Sequence, residues 1–241
     1  MTSAWYILPS NNILARHINA WHLPYSAWML SYLVLGAAIA PSVSYALLGW
    51  TLAAFFFGFV VAAHHVDLLN QDPLGQNIPH WQSWTLAFIG LVAGGLIGAW
   101  QAAIGNMNEW LFLVVPLGAV VALGYGLEWP GFHVEGVSFP LYWAVGPLVL
   151  SALAQDFAFH PALVPAIGFA YLTALAQRVL STRVRFIRRR VDAVDLSLHL
   201  KTGETSVVQD KSWFLFPDEW ALALLSFALP CVSVCALLLR F

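Results

Sequence analysis

The residues best equipped for chemistry in this 241-residue chain stand where apolar runs stop. One run breaks abruptly into Ala62-Ala63-His64-His65-Val66-Asp67-Leu68-Leu69-Asn70-Gln71-Asp72-Pro73. Helical spacing of three brings His64 and Asp67 onto one face, where an imidazole and a carboxylate can bind one cation or share a proton. His65 points about 100° away around a 3.6-residue turn and reads as a packing or capping group. A second run ends in Tyr125-Gly126-Leu127-Glu128, where Glu128 is the one acidic side chain, and continues through Trp129 to His133. A third ends in Gln177, Arg178, Ser181, Thr182 and Arg185. Gln177, Ser181 and Arg185 recur every four residues and form a polar stripe if that helix continues past the apolar run. Arginine in such a stripe grips a phosphate in bidentate fashion without any metal. The plainer reading stands beside each: helix ends at an interface carry His and Asp that merely meet water, and arginines there fix topology and bind lipid headgroups. His80 and His133 lack a partner at fixed helical spacing and read as structural.

The elements that must position these residues follow from composition. Hydrophobic residues make up 60% of the chain and charged ones 9%, too few to coat a water-soluble globule, so a bilayer must supply most of the solvent. A span needs about 20 apolar residues. Seven windows approach this, near Ala27 to Val43, Ala46 to Ala63, Trp84 to Ile104, Trp110 to Leu127, Phe139 to Phe157, Pro161 to Leu180 and Trp220 to Leu239. The expected fold class is an all-α integral membrane protein, a bundle of about seven transmembrane helices. It forms a single membrane domain over 1–241: an interfacial segment (1–25), a six-helix bundle (26–182), a basic segment (183–217) and a C-terminal spanning helix (218–241). Trp21, Trp28, Trp81, Trp84, Trp110 and Trp129 at segment ends suit an aromatic belt.

Loop charge tests the count. Arg16 precedes the first helix, and Arg178, Arg183, Arg185, Arg188, Arg189, Arg190, Lys201 and Lys211 lie at or after the end of the sixth, while the odd-numbered connections carry no Lys or Arg. The positive-inside rule then puts the N-terminus in the cytoplasm and the C-terminus outside a cell inner (plasma) membrane. No cleavable signal peptide is expected, because the first apolar stretch is too long and follows a polar start. Within the basic segment, Thr202-Gly203-Glu204 suggests a turn between short strands at Leu196 to Lys201 and Ser206 to Gln209. The rest of that segment is expected to lie on the membrane surface. Cys231 and Cys235 share a helix face and read as packing residues rather than a disulfide.

The placement of His64-His65-Val66-Asp67 after the second helix and of Gln177-Arg178-Val179-Leu180-Ser181 at the sixth resembles the UbiA-type intramembrane prenyltransferase superfamily. That family carries acidic motifs at the cytoplasmic ends of the second and sixth helices, the first of the form Asn-Asp-x-x-Asp and the second Asp-x-x-x-Asp. Asp67 matches the last aspartate of the first motif, with His64 in place of the earlier one. Asn70-Gln71-Asp72-Pro73-Leu74 looks like the loop that follows. The second motif has no carboxylate here, and the chain is two helices short of the usual nine. The resemblance covers roughly Ser26 to Arg190.

It implies a UbiA-like fold and action on, or binding of, an isoprenoid or other long-chain lipid, with prenyl transfer from an isoprenoid diphosphate as the enzymatic form. Asp67 and His64 would be catalytic. His64, Asp67 and Asp72 would hold Mg²⁺ or another divalent metal, and Arg178, Arg185, Gln177, Ser181 and Glu128 would meet the substrate or its diphosphate. The alternative is a non-catalytic protein that holds a lipid, quinone or carotenoid, or a subunit of a larger membrane complex. A third reading, a metal-dependent membrane oxidoreductase or hydrolase, would use His64, His65, Asp67, Glu128 and His133. A transporter is a further reading, against which count the scarcity of buried charges in the spans and the lack of an evident internal repeat. The expected partners are membrane lipids, an isoprenoid or quinone-like molecule and other membrane proteins, with no nucleic acid.

Overall fold

A computed structural model describes residues 6–9, 12–70, 72, 75–105, 109–156 and 159–240. The chain opens with a short helix, Ile13–Ala20 (α1), capped by the Asn12 side chain, which accepts from the Ala15 N–H at 2.8 Å. Leu23–Ile39 (α2) follows, with Pro24 in its first turn, where the missing N–H costs nothing. Ser44 then caps a continuous helix, Tyr45–Asn70 (α3), whose middle, Phe56–Ala63, winds as a wider π-helix. His80–Ala103 (α4) and Leu111–Gly126 (α5) come next. Residues 138–155 (α6) contain a second π segment, Leu141–Val145. Leu163–Arg190 (α7) leads into a hairpin of Leu196–His199 (β1) and Thr205–Val208 (β2), and Ser212–Leu238 (α8) closes the chain.

Among the described residues the structure is therefore mostly helical, with one two-stranded sheet. Among the described residues four helices, Tyr45–Asn70, His80–Ala103, Leu163–Arg190 and Ser212–Leu238, are long and apolar enough to cross a membrane, whereas Leu23–Ile39 and Phe112–Gly126 are shorter apolar helices. Large apolar side chains stand outward on these rods, with Phe88 68%, Leu172 65% and Leu224 61% exposed, as on helices that face hydrocarbon.

Helix ends differ from the expected windows in an instructive way. α3 runs seven residues past Ala63, so His64 and Asp67 lie on the helix rather than after it. α7 runs on to Arg190 and α8 begins at Ser212, so the non-helical basic segment shrinks to 191–211. Polar side chains do not end a helix whose backbone bonds remain satisfied. The sheet pairs Leu196 with Val208 and His199 with Thr205, one residue off the expected second strand. Trp28 is 1% exposed in the core, where it cannot serve the expected belt, whereas Trp81 and Trp110 are 67% and 63% exposed. Cys231 and Cys235 are free thiols.

The rods alternate in direction. At one end, the start of α2 meets the end of α3 (His22 stacks on His64), the start of α6 meets the end of α7 (Phe139 beneath Arg178), and the end of α7 meets the start of α8 through Arg188 and Glu219. At the other, the Ser44 N–H donates to Gln155 at 2.7 Å, and the Arg240 guanidinium donates to the Ala40 and Pro41 carbonyls at 3.0 and 2.7 Å. α2 lies centrally: Trp28, Met29, Tyr32 and Leu35 pack with Val60, Trp143, Leu148, Ala170 and Leu229. Gly36 lets α2 approach the Leu148 carbonyl so closely that any Cβ there would collide with it.

Candidate functional site

The arginine end holds a polar and aromatic recess built from the ends of α3, α5 and α7 and the starts of α2 and α6. Its floor comes from the π segments. A π turn carries an extra residue and leaves carbonyls poorly matched to the following α-helix. His64 Nδ1 lies 3.1 Å from both the Phe59 and Val60 carbonyls, and His65 Nδ1 lies 2.6 Å from the Val61 carbonyl. Carbonyls only accept, so in both rings Nδ1 carries the proton and Nε2 is left with its lone pair.

The two histidines then diverge. His65 turns to α1, where its Nε2 meets His17 Nδ1 at 3.0 Å. His64 turns inward, stacked on His22 at 5.5 Å and edge-on to Tyr25 and Trp143. His64 and Asp67 share a side of α3 but make no hydrogen bond with each other among the described residues. The charges that act on Asp67 are Glu128, Arg185 and Arg178, in that order. Gly126 permits the end of α5 to lie against Val66 and Asp67, and Asn70 fixes that contact by donating to the Gly126 carbonyl at 2.7 Å. Tyr25 and Tyr125 feel both Asp67 and Arg178. His22, Tyr25 and Asp67 are half-buried at this end of the bundle.

On α7, the Arg178 guanidinium lies 5.3 Å above the Phe139 ring, a cation–π contact that holds it over the recess. Arg185 donates through Nε to the Ser181 carbonyl at 3.3 Å and also reaches the Thr182 hydroxyl. Ser181 turns its hydroxyl back to the Arg178 carbonyl, and Gln177 Oε1 is buried without a hydrogen-bond partner among the described residues. Glu128 stands exposed just past α5 in a left-handed conformation (φ 56°). Asp72 lies in the loop outside the recess, where its carboxylate accepts the Asn77 N–H at 2.6 Å. Its neighbours Gln71, Pro73 and Leu74 fall outside the described residues. His133 stacks on Tyr125 at 4.2 Å and caps the Tyr125 carbonyl, while His80 begins α4.

Among the described residues no three His, Cys, Asp or Glu side chains gather as metal ligands. His64 and Asp67 have different neighbours, and Asp72 accepts the Asn77 N–H within its own loop. No step below passes through a metal.

Sequence reasoning did not find His22, Tyr25, Phe139 and Trp143, and it quoted Tyr125 at the end of a run without giving it a role. The signal was available: in an alternating bundle, the starts of the first and fifth spans lie at the same end as the ends of the second, fourth and sixth. The fold and site together define a helical bundle with rods long and apolar enough for a membrane and an arginine-lipped aromatic recess at one end. No family model, curated protein or solved structure matches the chain.

Proposed function

We propose that the chain is a polytopic membrane protein that takes an isoprenoid or similar long-chain lipid into its bundle with a phosphorylated head against Arg178 and Arg185. One observation carries this reading: two arginines on α7 face the same aromatic-walled recess as Asp67, Tyr25 and Tyr125. Arginine forks match phosphate oxygens; Arg178 is half-buried over Phe139, and Arg185 stands exposed at the rim where an arriving head can reach it. In its ionised form Asp67 partly offsets the repulsion between the two cations when no other anion is present. The aromatic lining from Phe59 to Trp143 offers flat apolar surface to a tail.

Seven crossings and a cytoplasmic arginine end complete the proposal. The three rods that fall short of full span length, α2, α5 and α6, are about 24–27 Å long at 1.5 Å per residue, close to a thin hydrocarbon core. UbiA-like ancestry accounts for this arrangement of helix ends. With Gln177 and Ser181 where a second acidic motif would stand, holding a lipid is favoured over prenyl transfer.

The test is binding of farnesyl diphosphate to the full chain in nanodiscs, beside farnesol and inorganic diphosphate. Arg178→Ala and Arg185→Ala should each weaken diphosphate-lipid binding about tenfold or more and leave farnesol unchanged. Asp67→Asn should bind the diphosphate as well or better, because it removes a negative charge. Equal affinity for farnesol and its diphosphate, or insensitivity to both arginines, would overturn the proposal. Release of inorganic diphosphate on incubation with an acceptor would mark transfer instead of holding.

A further inference from the structure

The residue at the junction of α1 and α2 has the features of a ligand-contacting group, although sequence spacing gives no reason to single it out. His22 adopts a left-handed conformation, φ 47° and ψ 55°, which a residue with a Cβ rarely takes. Such strain persists only where surrounding contacts over-determine it. Here those contacts are specific. The ring stacks on His64 at 5.5 Å, and its Nδ1 lies 3.1 Å from the Tyr6 hydroxyl. Its Nε2 makes no hydrogen bond among the described residues, and Arg185 and Arg189 both act on the ring.

We infer that His22 is a third binding group for the anionic head, donating through Nε2–H beside Arg185, with its tautomer set by the Tyr6 hydroxyl donating to Nδ1. The inference rests on the proposed binding of a phosphorylated lipid. Burial, with His64, Arg189 and Arg185 adding to it, pulls the His22 pKa down to about 3, so the imidazole is neutral at any ordinary pH. Burial likewise raises Tyr6 above the usual phenol value, outweighing the opposing pull of Arg188, so its hydroxyl keeps its proton and remains a donor. A neutral imidazole has one N–H. If Nδ1 accepts from Tyr6, the proton must sit on Nε2, the nitrogen left open to the recess.

The arrangement suits a phosphate-type head for a simple electrostatic reason. A third cation beside Arg178 and Arg185 would repel both whenever the recess held no anion. A neutral donor adds a directed bond without that penalty, and its aim at a fixed oxygen selects a head of defined geometry over any diffuse negative charge. Tyr6 is then a positioning residue, since it acts only through His22.

The experiment uses the full chain in nanodiscs, with farnesyl diphosphate as probe and ¹⁵N-histidine NMR as a second readout. His22→Phe keeps the stacked ring but has no donor, and should bind about tenfold more weakly. His22→Gln, whose amide nitrogen falls near the position of Nε2, should stay within about threefold of the parent chain. The parent spectrum should show His22 protonated at Nε2, and Tyr6→Phe should convert it to a mixture of tautomers, a change that a purely structural tyrosine would not produce. Unchanged affinity in His22→Phe while Arg185→Ala loses binding, or a His22 ring protonated at Nδ1, would overturn the inference. Failure of the parent chain to bind the diphosphate at all would instead remove the lipid-binding proposal, with the tautomer still reporting on His22 and Tyr6.

Discussion

Two glycines on one helix should respond to the same substitution with opposite sign. Gly126 ends α5 against α3: a Cβ there would stand 2.6 Å from Val66 Cγ1, 3.0 Å from Val66 Cβ and 3.3 Å from the Asp67 carboxylate. Val66 is fully buried and has no free rotamer to retreat into, so the two helices must part or Asp67 must move. Overpacking of this kind costs about 1–3 kcal/mol, and the gain from replacing glycine at a frayed helix end returns less than about 1 kcal/mol. Gly126→Ala should therefore lose about 1–2 kcal/mol, or about 2–8 °C in Tm for a chain of this size. Gly118 sits mid-helix with nothing within 4 Å of its Cβ position. There the same substitution keeps only the propensity gain, about 1 kcal/mol and about 2–4 °C upward. Thermal unfolding of both variants in one detergent reads the difference directly. If Gly126→Ala were stabilised as much as Gly118→Ala, α5 would not lie against Val66 and the recess as described would be wrong.

Two further perturbations probe the same end of the bundle. Arg188 Nε donates to Glu219 at 2.6 Å, with both side chains only about a quarter exposed (25% and 27%); Arg188→Ala should cost about 1–2 kcal/mol, less than a fully buried pair because water still screens it. A double-mutant cycle with Glu219→Gln should show positive coupling, and zero coupling would mean that the pair does not join α7 to α8. The depressed His22 pKa, about 3 against an ordinary 6.5, means that the docked segment binds fewer protons than the undocked one. Its docking should then be strongest above the ordinary value and weaken as pH falls toward 3, by at most about tenfold per pH unit. Hydrogen-exchange protection factors across residues 12–22, which remove the pH dependence of intrinsic exchange, should fall accordingly, and His22→Gln should flatten the profile; an equal slope in that variant would place the pH dependence elsewhere.

Apolar run length and the abrupt switch at Ala63 to His64 are large signals, and they pointed to the long rods and to the polar ends of α3, α5 and α7. Other features of the recess were illegible for separate reasons. The wider winding of Phe56–Ala63 has no signature in a run of uniformly apolar residues, so the spacing that gave His65 a packing or capping role did not announce that His64 would cap carbonyls as well. Spacing rules apply within one helix. They paired His64 with Asp67, whereas the structure gives His64 the company of His22 and Trp143, and Asp67 that of Glu128, Arg185 and Arg178. Trp28 looked interfacial by its place near a helix start, but the central position of α2 buries it, a fact that depends on α6 and α8 more than a hundred residues away.

The two π segments explain why such a recess can exist in an apolar bundle. Phe59 in one and Trp143 in the other meet edge to face at 5.4 Å, so the widened turns confront each other. Each widening adds girth to its rod and frees carbonyl oxygens, a change that an apolar interior penalises unless a donor lies close by. On α3 the donors are the imidazoles of His64 and His65, supplied by the same helix one turn on. Histidine suits this role better than serine or lysine: one ring nitrogen satisfies the backbone, and the other remains available on a flat surface that stacks. By this reasoning His64 serves first as the brace that keeps the recess open, and its meeting with His22 follows from that. Replacing it with phenylalanine should close the π segment toward α-helical winding even with the ring volume kept.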